Sequence, residues 1–97
     1  MVLAISKYPP KSDGIGPRGR RAWRDLVSRY EFDDDEVDIL RELARCVDRL
    51  DLLDAEIVEN GMTSLGSMGQ VVANPALAEA RQQQALLVRL RKALRLT

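Results

Sequence analysis

"FDDDEVDILRELARCVDRLDLLDAEIVENG", residues 32–61, decides the fold. Its apolar residues step by four and three, through Ile39, Leu43, Cys46, Leu50, Leu53 and Ile57. That is an a/d seam of the kind helices use to pack side by side. Leu40, Val47 and Val58 widen it into a second stripe. The start is marked as well. Asp33 stands where an N-cap belongs, with Glu36 three residues on, the carboxylate form of a capping box. Asp34 and Asp35 favour the positive end of the helix dipole, and Gly61 suits the stop. The pattern predicts a helix over 34–60, about 40 Å long at 1.5 Å per residue, longer than a compact domain of this size requires. Reading the acidic run as a metal site is weaker, because the chain has no histidine and the acids sit where a cap wants them. Cys46, inside the seam, reads as a small buried hydrophobe rather than a reactive thiol.

Downstream comes "GMTSLGSMGQVVA", residues 61–73, then "NPALAEA". Asn74 is a good N-cap and Pro75 suits the first helical position, so a further helix is expected over 75–95. Leu87, Leu90 and Leu94 continue one apolar face, and Arg91, Lys92 and Arg95 suit the negative end of its dipole. The insert lets the two helices reverse into an antiparallel hairpin, yet such a turn needs only about two to eight residues. The insert also carries Met62, Leu65, Met68, Val71 and Val72. A short two-stranded ribbon turning at "GSMG" fits it, and packing of its apolar residues against a neighbouring subunit is expected. Its glycines make no phosphate loop, since no Gly-Lys-Ser/Thr follows.

Upstream, "RGRRAWRDLVSRY" places Trp23, Leu26, Val27 and Tyr30 on one stripe, predicting a first helix over 18–30 opened by Pro17. Residues 1–16, with Pro9, Pro10, Gly14 and Gly16, read as a flexible basic arm, and 17–97 as one helical domain. Lys7, Lys11, Arg18, Arg20, Arg21 and Arg24 crowd this end with one intervening acid, Asp13. Cations at a helix N-terminus oppose its dipole, so helix stability does not account for them.

The 97 residues carry no net charge, but that total conceals a segregation. Residues 1–30 hold seven Lys/Arg against two Asp; residues 31–60 hold three Arg against twelve acids; residues 61–97 hold five Lys/Arg against one Glu. Such blocks point to a partner of one sign, to subunits docking head to tail, or to acidic and basic helices packing on one another. Four aromatics, Tyr8, Trp23, Tyr30 and Phe32, leave the core to aliphatic residues. The fold class expected is all-α: a short N-terminal helix and a long antiparallel helical hairpin, oligomeric, with the insert at its tip. No apolar run approaches the roughly 20 residues of a membrane span, and the N-terminal apolar run is too short for a signal peptide. A single cysteine suits a reducing cytoplasm. No catalytic residue, cofactor or metal site is expected. Without histidine there is no Ser-His or Cys-His pairing, and Asp38–Arg41 and Glu42–Arg45 look like ordinary helical ion pairs.

The ordered set "GRRAW", the closing Tyr30, "DDDEVDILRELARCVDRLDLLD", "NG" with its Thr/Ser/Gly stretch, "NPALAEAR" and the terminal "LRKALRLT" resembles the small terminase subunits of tailed phages, over roughly residues 14–97. The resemblance implies a non-enzymatic role in packaging phage DNA in the host bacterial cytoplasm. It implies a homo-oligomer, a ring, that binds phage DNA and regulates a large terminase subunit holding the ATPase and nuclease. Under it, Lys7, Lys11, Arg18, Arg20, Arg21 and Arg24 are the expected DNA contacts, with Arg89, Arg91, Lys92 and Arg95 next in line. Ile39, Leu43, Cys46, Leu50, Leu53 and Ile57 form the core or oligomer seam. A coiled-coil adaptor or scaffold that binds only proteins, and a small dimeric DNA-binding regulator, are the alternatives.

Overall fold

A computed structural model describes residues 14–96. Lys7, Lys11 and most of the expected arm lie outside the described residues. Helix α1 runs Pro17–Arg29, α2 runs Asp34–Asn60, strands β1 (Thr63–Leu65) and β2 (Val71–Ala73) form an antiparallel ribbon, and α3 runs Pro75–Ala93. The protein is mostly helical, and the expected insert is a ribbon.

The start of α2 is built as its sequence implies. Asp33 Oδ1 accepts from the Glu36 N–H at 2.8 Å, and the Asp33 N–H donates back to Glu36 Oε1 at 3.1 Å. Phe32, just before the cap, and Val37, in the first turn, both join the core, a hydrophobic staple that fixes the entry angle. At the far end Gly61 adopts φ 82° and ψ −174°, a region open essentially to glycine alone, and turns the chain out into the ribbon.

Asn74 ties both ends of the ribbon together. Its Oδ1 accepts from the Ala76 N–H at 3.0 Å and caps α3, while its Nδ2 donates to the Gly61 carbonyl at 2.8 Å. It is buried, and both halves of its amide are satisfied.

α2 and α3 pack antiparallel along their length, and α1 lies back along only the first half of α2. The core therefore sits at one end. Leu40, Leu43, Ala44 and Cys46 of α2 are buried there with Trp23 and Leu26 of α1, Phe32, Leu94 and Leu96. Ile15 is buried as well, so the folded domain begins inside the segment expected to be arm. Along the seam, Leu43 and Cys46 are buried whereas Ile39, Leu50, Leu53 and Ile57 are half-buried. On the second stripe burial falls from Leu40 through Val47 to Val58, which is 87% exposed beyond the reach of α1.

The first and third helices end earlier than the periodicity suggests, at Arg29 and Ala93. The end of α3 is a Schellman motif. The Leu96 N–H donates to the Arg91 carbonyl at 2.9 Å and the Arg95 N–H to the Lys92 carbonyl at 3.0 Å. Arg95 takes the left-handed conformation, φ 59°, that glycine usually supplies.

Candidate nucleic-acid interface

The arginines of α1 stand on a helix fixed from below by α2. Gly16 is the N-cap of α1 and has no side chain to cap with. Asp48 of α2 supplies the missing carboxylate. Its Oδ2 accepts from the Gly16 N–H at 2.6 Å and its Oδ1 from the Gly19 N–H at 2.7 Å. These two donors are among those a helix N-terminus leaves unpartnered, and the negative charge faces the positive end of the dipole. The arginine-rich start of α1 is thus offset by an acid from another helix. Gly19 makes the approach possible, because a Cβ there would lie 2.4 Å from the Ala44 carbonyl oxygen.

With Gly19, Trp23 and Leu26 turned into the core, Arg18, Arg20, Arg21 and Arg24 occupy an arc of about 160° on the opposite side of α1, at about 100° per residue. All four are exposed. The ion pairs formed among the described residues use other arginines: Arg29 with Asp25 at 2.7 Å, and Arg45 and Arg49 with Glu42 at 3.8 and 2.7 Å. No acid occupies the first turn of α1. Arg18 borders a shallow groove of about 190 Å³ with Val47, Leu50, Asp51, Asp54 and Leu87, yet neither acid reaches it as an ion pair. Basic and acidic helices do pack on each other here, but the link between them is the Asp48 cap rather than a ladder of salt bridges.

Elsewhere the polar side chains serve the fold. The Arg41 guanidinium lies 5.2 Å from the centre of the Trp23 ring, a cation–π contact that closes the core. Arg49 donates through Nε to Gln83 Oε1 at 2.8 Å and through Nη2 to Glu42, joining α2 to α3. The Cys46 thiol donates to the Gln83 carbonyl at 3.1 Å. Burial pushes its pKa above the ordinary value of 9.0, with Arg49 pulling the other way, so it stays protonated at neutral pH. Among the described residues no cluster of three or more acids or cysteines is arranged to hold a metal ion, and no helix is long and apolar enough to cross a membrane.

Arg18, Arg20, Arg21 and Arg24 are therefore brought together, with Lys7 and Lys11 outside the described residues. Arg89, Arg91, Lys92 and Arg95 are exposed at the end of α3. Sequence reasoning missed Asp48 and gave it no role. The available signal was the pair of glycines around "GPRG", a helix start with no capping side chain of its own. No protein-family model matches the chain, and no curated protein or solved structure is found similar to it.

Proposed function

We propose that this chain is a small terminase subunit: a non-enzymatic, oligomeric DNA-binding component of a phage packaging motor. In this reading it acts in the host bacterial cytoplasm, beside a large subunit that carries the ATPase and nuclease. The ordered sequence resemblance supports the reading. The observation that carries it is the arginine arc of α1, four guanidinium groups outside the ion pairs formed among the described residues, held on a helix whose opposite side is locked to α2.

Guanidinium forks suit phosphate oxygens. Contacts of this type set position on a duplex and carry no base information. Repetition of the arc in each subunit of a ring lets modest contacts add through multivalency. The test replaces Arg18, Arg20, Arg21 and Arg24 together by Ala and follows duplex DNA binding against salt. The log–log salt slope should flatten by about 0.9 for each phosphate no longer neutralised, with helix content and oligomer mass unchanged. Wild-type binding by this variant sinks the assignment to α1 and moves the search to Arg89, Arg91, Lys92 and Arg95. Dissociation of the assembly identifies the arc as a subunit contact instead.

A protein-only adaptor is the second reading, favoured by the exposed apolar ribbon. It predicts no DNA affinity at moderate salt.

A further inference from the structure

Apart from the shortness of its strands, the ribbon at the hairpin tip lacks, among the described residues, the devices that keep a sheet edge solitary. Such edges are usually guarded by charge, proline, a bulge or a covering element. From Gly61 to Ala73 there is no charged residue and no proline, in a chain that is 31% charged. Leu65 and Val71 face each other across the ribbon, 73% and 71% exposed, and Met62 and Met68 are exposed beside them. A two-stranded ribbon of three-residue strands is marginal alone in water.

The hydrogen-bond phase decides which backbone groups are left over. The Gly66 N–H donates to the Gln70 carbonyl at 2.7 Å and the Asn74 N–H to the Met62 carbonyl at 2.8 Å. The antiparallel alternation makes Ser64 and Val72 the bonded pair between them. The N–H and C=O groups of Thr63 and Leu65 then point outward from one edge, and those of Val71 and Ala73 from the other. The same four side chains are exposed, while Ser64 and Val72 are half-buried.

We propose that this ribbon joins copies of the chain by strand pairing, the β2 edge of one copy against the β1 edge of the next. The antiparallel order then continues from copy to copy, because β1 and β2 run in opposite directions. A second copy fits better than a charged peptide: neither edge offers a charge to a partner, and two uncharged ribbons meet without repulsion. In the adjoining helix α2, Val58 and Leu52 are exposed as well, at 87% and 70%. The neighbouring stretch of α2 carries exposed Asp51, Asp54, Glu56 and Glu59, with no Lys or Arg between residues 50 and 80. Side-by-side copies bring these acids near one another, so salt should hold or tighten the assembly while it weakens DNA binding. The proposal rests on the oligomeric part of the terminase reading and not on its DNA-binding part.

The test uses the full chain and light scattering over a range of protein and salt concentrations. The wild type should exceed the 10.9 kDa of one chain. Leu65→Lys with Val71→Lys places charge on exposed positions, so the single chain should keep its helix content while the mass falls to that of one copy. Val71→Pro removes an outward N–H that the ribbon itself does not use, and should also release single copies. Wild type at one-chain mass throughout, or variants that keep the wild-type mass, would overturn the proposal. Loss of DNA binding by the α1 arginine variant with its mass intact bears only on the DNA reading.

Discussion

Asp48 and Gly19 determine where the arginines of α1 stand. Asp48→Ala leaves the Gly16 and Gly19 N–H groups without their acceptor and should cost about 1–3 kcal/mol, the range for a lost cap or a charge-assisted hydrogen bond. Asp48→Asn keeps an acceptor oxygen and should lose less. Gly19→Ala sets two effects against each other. Alanine is the better helix former by about 1 kcal/mol, but its Cβ would meet the Ala44 carbonyl oxygen at 2.4 Å and the Ile15 side chain at 2.5 Å. Backbone cannot retreat cheaply, so the clash should win and the variant should unfold at lower urea concentration than wild type. Equal midpoints for both Gly19→Ala and Asp48→Ala would mean that α1 is not held this way. Neither role was legible beforehand. A glycine near a helix start reads as a loop residue, and an aspartate on a solvated helix reads as surface, until the second helix is laid across the first.

Elements were more legible than contacts, and their failures share a physical cause. The capping box, the Asn-Pro start and the long heptad stripe are local signals, and the bounds of α2 follow from them. Burial along the stripe is not local. Leu40 and Val58 lie on the same stripe of one amphipathic pattern, yet one is in the core and the other is 87% exposed, because α1 is too short to cover both. The end of α3 is another case. Periodicity carries on through Leu94, but the left-handed Arg95 stops the helix and returns Leu96 to the core. A left-handed conformation costs a non-glycine residue about 1–2 kcal/mol. Arg95→Gly removes that strain and adds freedom to the unfolded chain, so a net gain of about 0.5–1 kcal/mol is expected. Urea unfolding checks it, and a loss of stability would mean that the arginine side chain contributes more than its backbone costs.

Taken together, the described residues measure 58 × 22 × 19 Å, with a radius of gyration of 16.7 Å, against about 12 Å for a compact chain of their length. The excess comes from the distal hairpin, where two helices lie side by side with no third layer among the described residues. Stability should therefore be uneven along α2. Around Leu40, Leu43 and Cys46 three helices share one core. From Asp51 to Asn60 the residues are exposed or half-buried, and the packing comes from α3 and from the link between Asn74 and Gly61. Regions with few buried apolar contacts open locally at lower free energy than the global unfolding transition. In native-state hydrogen exchange on single copies released by Leu65→Lys and Val71→Lys, amides near Leu43 should exchange only with global unfolding, and those of 51–60 through a separate opening of lower free energy. If copies pair through the ribbon as proposed, the 51–60 amides of the wild type should gain protection while those near Leu43 change little, since a neighbour would cover the tip and not the core. Uniform protection along α2 in the single chain would show that the hairpin stands as one cooperative unit. In that case the exposed tip would owe nothing to a neighbour for its order.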